Sequence, residues 1–206
     1  MMIEEEDILL VYHDKQLYRF RKSLKHEFSY FGGPIESYPL GVEHGLRPVH
    51  HVATLWGQHL PFLLDERLVE IPLFYGFCYD NCHLRYCLDG GDHDIDLLEL
   101  IPSKSADNYP YIDYPPMLPY YPLAPVGPET VTLDQFQSLL RQPAEIRDGE
   151  TVVVVPSQFT LGMSLWGKTG DAENTQIIYH IDPKTQTIEG YRCNALLSST
   201  DSAGAQ

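Results

Sequence analysis

At 206 residues the chain has room for one domain or two packed halves, and a hydrophobic content of 43% supports a real core and excludes wholesale disorder. Lys and Arg number 14 and Asp and Glu 29, so the net charge is 14 − 29 = −15. Such a surface repels phosphate backbones, which argues against nucleic acid as a partner, and it speeds encounter with a basic protein.

The N-terminus opens on Glu4, Glu5, Glu6 and Asp7, where an export signal would carry a basic and then an apolar region. No apolar run approaches the ~20 residues that a membrane helix needs. The expectation is a cytoplasmic protein with no membrane partner. Its four cysteines are then free thiols or metal ligands rather than a disulfide framework.

Taken in chain order, Ile8 to Val11 predicts a strand, followed by a helix or a second strand through the basic positions Lys22 and Lys25. Glycines and prolines punctuate residues 31–61 densely enough to predict a structured loop region. Between 73 and 101 the pattern predicts a three-stranded antiparallel meander. Leu73 to Tyr79 is its first strand and Asp80-Asn81 the first turn. Leu84, Tyr86 and Leu88 alternate with polar neighbours, Asp89-Gly90-Gly91-Asp92 turns the chain again, and Ile95 to Ile101 is the third strand.

Residues 102–128 carry eight of the 16 prolines and five of the 14 tyrosines. Proline fixes φ and lacks a donor, so regular structure is not expected there. The segment reads as a connector packed over the core by its rings, or as an extended Tyr/Pro surface that meets a partner. Thr132 and Gln135 then make a capping box for a helix with a Leu133, Phe136, Leu139 and Leu140 stripe, stopped by Pro143. Val152 to Val155 predicts a buried strand. Gln176 to Ile181 and Thr187 to Cys193 predict a hairpin about Asp182-Pro183-Lys184. The fold class expected is α+β: strand-rich, mostly antiparallel sheets, with one or two helices. It fills residues 1–197, as a single domain or as two packed halves joined by the 102–128 connector, with a flexible tail at 198–206.

Three constellations could carry chemistry. Cys78, Cys82 and His83, with Cys87 and His93 nearby, are the weak candidates for a metal. Zinc wants four convergent ligands, whereas paired C-x2-C knuckles are missing and Cys82 and Cys87 have opposite strand parity. No cofactor is therefore expected. His50-His51 and His180 with Asp182 offer acid–base pairs, and His180 and Asp182 share a strand face, but no nucleophile motif accompanies them. Asp89, Asp92, Asp94 and Asp96 form an acidic turn without the ligand pattern of a calcium loop. They read as a solvated turn and, with Tyr111, Tyr114, Tyr120 and Tyr121, as the candidate partner-binding residues.

Phe31-Gly32-Gly33-Pro34, Tyr38-Pro39, Gly41, Pro61-Phe62-Leu63-Leu64, Ile71-Pro72 and Leu73-Phe74-Tyr75-Gly76-Phe77 follow one another in an order that resembles the bacterial YwqG-like family and, more distantly, the eukaryotic programmed cell death protein 2 family. The resemblance covers about a quarter of the chain. Here Gly33 abuts Pro34, and Asp65 stands where that family has Gln. The paired zinc cysteines of the eukaryotic relatives are not reproduced, only Cys78 and Cys82 falling near a comparable strand end. The resemblance implies a mixed fold rich in antiparallel strands, with no established enzymatic role. With the charge balance, the expectation is a non-enzymatic protein-binding protein, most specifically an immunity protein that neutralises a basic toxin. The alternatives are a metal-dependent hydrolase and a chaperone for a basic client.

Overall fold

The computed structural model describes residues 2–33, 49–60, 69–77, 82–89, 94–102, 117–156 and 175–194. The strands are β1 (Asp7–His13), β2 (Gln16–Lys22), β3 (Ser29–Phe31), β4 (His50–Trp56), β5 (Glu70–Tyr75), β6 (Cys82–Asp89), β7 (Asp94–Pro102), β8 (Tyr121–Thr130), β9 (Thr151–Val155), β10 (Thr175–Asp182) and β11 (Thr187–Asn194). One helix, α1 (Leu133–Gln137), lies between β8 and β9. They form one eleven-stranded sheet in the order β5-β4-β3-β8-β2-β1-β9-β10-β11-β6-β7, with every pairing antiparallel. The strand-rich, antiparallel part of the sequence reading stands. The finer class is mostly-β rather than α+β, because α1 is five residues long and the described residues hold no other α-helix.

The central strands are apolar at consecutive positions because both of their faces are covered. In β9, Val153 and Val155 join one core with Val11 and Ile177, while Val152 and Val154 join a second core with Leu10 and Ile178. Phe136 of α1 closes the second core by stacking on Tyr12, ring centroids 4.3 Å apart. Thr132 and Gln135 make the expected capping box: Gln135 N–H donates to Thr132 Oγ1 at 3.2 Å and Thr132 N–H to Gln135 Oε1 at 2.7 Å. The expected stripe is incomplete, since Leu139 and Leu140 are buried but Leu133 is 44% exposed. Helical geometry ends at Gln137, so the period of 3.6 no longer ties Leu133 to Leu139 and Leu140. Gln176 moors the segment after α1 to β10, donating to Leu139 O at 3.0 Å and accepting from Arg141 N–H at 2.8 Å.

The β1–β2 connection resolves the choice left after the first strand. His13 pairs with Gln16 across a two-residue turn, and Asp14 and Lys15 both have positive φ, 41° and 65°. That is the primed geometry whose twist matches a hairpin. Beside it, Asp7 is buried and accepts from Arg19 Nη1, from Arg21 Nε at 3.0 Å and from Glu4 N–H at 2.9 Å. Glu129 Oε2 stands 3.6 Å from Arg19 Nε, and Glu4 and Glu6 flank Arg21.

Three expectations are corrected. First, β5 and β6 are not ladder neighbours: among the described residues β6 pairs with β7 and β11, and β5 with β4. The sheet curls into a half-barrel, so β5 instead lies against β11 and β6, and Tyr86 Oη donates to Pro72 O at 2.7 Å across that contact. Alternation sets each strand's faces but says nothing of its partner, which is why the meander was read with the wrong first neighbour. Second, the loop region 31–61 contains β4, a strand between β3 and β5.

Third, the proline segment contains β8, a ten-residue strand between β3 and β2. Pro122 O accepts from Ser23 N–H at 2.8 Å, so residue 122 directs its backbone toward β2, just beyond the last paired position Lys22. Alternation then turns Pro125 the other way, past Ser29–Leu123, where pairing with β3 has ended. Pro128 falls in the register shift between Leu17 and Arg19, where the ladder is already broken. Each proline thus occupies a position where its missing donor costs no ladder bond. The tail 198–206 lies outside the described residues.

Gly190 permits close packing inside the curl. It pairs with Tyr179, whose ring covers it; a Cβ at 190 would stand 2.7 Å from Tyr179 Cε1 and 3.7 Å from Phe74 O of β5. An aromatic ring lying over a strand glycine is a known way to hold curvature. Gly190→Val is expected to cost at least about 1–3 kcal/mol by overpacking, lowering the thermal midpoint by roughly 2–4 °C per kcal/mol. In Gly190→Val/Tyr179→Leu most of that loss should return. An unchanged urea midpoint in the single variant would show that Tyr179 gives way without cost.

Candidate functional site

The acidic hairpin forms one end of the sheet. In β6, Leu84, Tyr86 and Leu88 are buried, Arg85 is exposed and His83 and Cys87 are half-buried, the alternation read from the sequence. In β7 the positions Asp94 and Asp96 lie opposite Asp89 and Cys87, and Glu99 lies opposite Arg85. Asp96 and Glu99 are exposed, and Leu98, the additional residue at the register shift, is 49% exposed. Asp92 lies outside the described residues, as do the side chains of Asp89 and Asp94. Glu99 is a surface acid that the earlier grouping of four aspartates did not include. Its signal was visible: 99 sits on the same strand, beyond the turn.

Tyr121 begins β8 and Tyr120 immediately precedes it, seven positions from β7 in the strand order, so the sheet does not bring these tyrosines and the acidic hairpin into one ladder. Tyr120 is 46% exposed, with its ring 5.4 Å from that of Tyr30. Tyr121 packs against the core and carries Lys22 Nζ 4.6 Å over its ring, a cation–π contact within its own domain. Tyr111 and Tyr114 lie outside the described residues.

Cys82 and His83, neighbours on β6, point to opposite faces and do not converge. Cys82 is buried among apolar groups, which pushes its thiol up to about 12, far from the thiolate that binds metal or attacks. Neither Cys82 nor Cys87 is in a disulfide among the described residues; Cys78 lies outside them. Among the described residues no three His, Cys, Asp or Glu side chains come together as a metal site.

His51 is held on both nitrogens, Nδ1 2.9 Å from Gly32 O and Nε2 2.8 Å from Thr54 Oγ1. Burial lowers its pKa to about 4, against the hydrogen bonds that raise it, so at neutral pH the ring is an uncharged strut between β4 and Gly32.

His180 has a carboxylate partner, though not the one expected. Asp182 accepts from Lys184 N–H at 2.9 Å and Thr185 N–H at 3.4 Å, which closes the β10–β11 turn. Those backbone bonds hold the Asp182 pKa below its ordinary value, against a desolvation that opposes them. Instead Glu150 Oε2 lies 3.0 Å from His180 Nδ1 and accepts Arg147 N–H at 3.0 Å, while His180 Nε2 is 2.9 Å from Tyr191 Oη. The phenol ring stacks on the imidazole at 5.6 Å. Glu150 precedes Val152, the residue opposite His180, by two positions. Strand parity would have found it once the β9–β10 pairing was known.

A carboxylate–imidazole–hydroxyl chain can orient one tautomer and move a proton. A cleft of about 550 Å³ lies beside it, between the β1–β2 turn, residues 146–150 and the β10–β11 turn. Glu150 lines that cleft; His180 and Tyr191 do not. The relay thus meets the cleft at its Glu150 end, and Tyr191 at its hydroxyl end is half-buried.

No helix among the described residues is long and apolar enough to cross a membrane. No protein-family model matches the chain, and no curated protein and no solved structure matches it.

Proposed function

We propose that this is a non-enzymatic binding protein for a basic protein partner, in its most specific form a toxin that it neutralises. The observation that carries the reading is the end of the sheet: the last strand presents Asp96 and Glu99 to solvent beside the half-exposed Leu98, in a chain of net charge −15. Acidic side chains steer a basic partner inward, and an apolar neighbour gives the encounter something to bury.

Steering between opposite charges weakens as the screening length shrinks from ~10 Å at 0.1 M salt to ~3 Å at 1 M. The association rate with the partner is expected to fall on the order of tenfold or more across that range, while dissociation changes little. Replacing Asp89, Asp92, Asp94 and Asp96 together with Asn should slow association and leave the urea midpoint in place. An association rate indifferent to both salt and these substitutions would sink the proposal. Turnover of an ester or phosphoester, abolished by His180→Ala, would replace it with a hydrolytic one.

A further inference from the structure

Resting on that reading, we infer that the basic partner binds as an added β-strand along the outer edge of β7, its cationic side chains meeting Asp96 and Glu99. The carrier is a difference between the two ends of the sheet. At one end, β5 is closed to addition: Ile71 to Tyr75 are buried, Pro72 lies within the strand, and the sheet curls so that β5 lies against β11 and β6. Proline on an edge and cover by the fold itself are how proteins protect an edge.

At the other end, β7 runs nine residues, Asp94–Pro102, and among the described residues it pairs with β6 alone. Its second side has no ladder partner among the described residues, and its N–H and C=O groups are there a template for one more strand. The register shift at Leu98 divides this edge into 94–97 and 99–102, and each part carries an acid, Asp96 in the first and Glu99 in the second.

Charge selects the occupant. A second copy of this chain would set Asp96 and Glu99 against another acidic edge, and like charges across a strand pair are destabilising. A strand with Lys or Arg at alternate positions reverses that sign. The same acids thus discourage pairing of the protein with itself and favour a basic segment.

The test uses the full chain and two synthetic ten-residue peptides of alternating lysine and valine. In the control peptide two adjacent central residues, one lysine and one valine, are the mirror-image amino acids, so charge and composition match but the extended strand is interrupted at its middle. Binding is followed at low salt together with amide hydrogen exchange. The all-L peptide is expected to slow exchange of amides in residues 94–102 at least tenfold. The control should bind at least tenfold more weakly, and Asp96→Lys/Glu99→Lys, with an unchanged urea midpoint, should lose the all-L peptide. Equal affinity for both peptides with no slowing in 94–102 would overturn strand addition while leaving a basic partner in place. Binding undiminished in the Lys variant would overturn the location. If neither peptide binds, the charge-based reading falls along with the edge.

Discussion

Replacing Asp7 with alanine is expected to lower the unfolding free energy by about 3–5 kcal/mol, the cost of leaving a buried charge without its partner. The Asp7 carboxylate is fully buried, and three donors from Arg19, Arg21 and the Glu4 backbone converge on it. Without it, Arg19, whose side chain is 8% exposed, keeps among the described residues Glu129 at 3.6 Å and the Met2 carbonyl at 3.4 Å. Asp7→Asn keeps the shape and some acceptor capacity, so it should fall between alanine and the native residue. Urea unfolding at neutral pH decides this. A loss under about 1 kcal/mol would mean that Glu129 suffices for Arg19 and that the buried carboxylate is incidental to stability.

Acid should weaken the fold through His51. Its pKa in the folded state, about 4, lies below the 6.5 of the unfolded chain. Between those values the unfolded state binds the additional proton. The contribution is thus complete above pH 6.5 and is lost as pH falls toward 4. From pH 7 to pH 5 the loss from this group is about 2 kcal/mol. Carboxylates add their own slopes over the same range, so the readout is the difference between the native protein and His51→Gln in urea titrations at the two pH values. The variant should have the shallower dependence. Equal slopes would show that His51 stays neutral in the unfolded chain or is protonated in the folded one.

Strands whose patterning is local were legible in the sequence. The runs Ile8 to Val11 and Val152 to Val155, the alternation of Leu84, Tyr86 and Leu88, and the Thr132–Gln135 capping box all appear where their residues place them. What failed depends on partners far along the chain. Pro122, Pro125 and Pro128 forbid a strand in isolation, yet they fit one whose neighbours stop or shift register at those positions. The β5–β6 meander assumed that sequential strands pair, whereas β11 takes the place beside β6. The acidic hairpin was found as a turn; that it ends the sheet could not be read, because an edge is a property of the whole strand order. His180 was paired with Asp182, which instead caps the β10–β11 turn; the carboxylate beside His180 is Glu150, 30 positions away in the chain.

The central claim is that the carboxylates of the β6–β7 hairpin meet a basic protein. The most direct test isolates the complex from cells that make the protein, joins contacting carboxylates and amines with a zero-length carbodiimide, and maps the linked residues by mass spectrometry. Links from Asp89, Asp92, Asp94, Asp96 or Glu99 to lysines of one basic partner, in a one-to-one complex, are the predicted result. Links confined to other acids, such as Asp14 and Asp148 around the cleft, or a partner that is itself acidic, would contradict it.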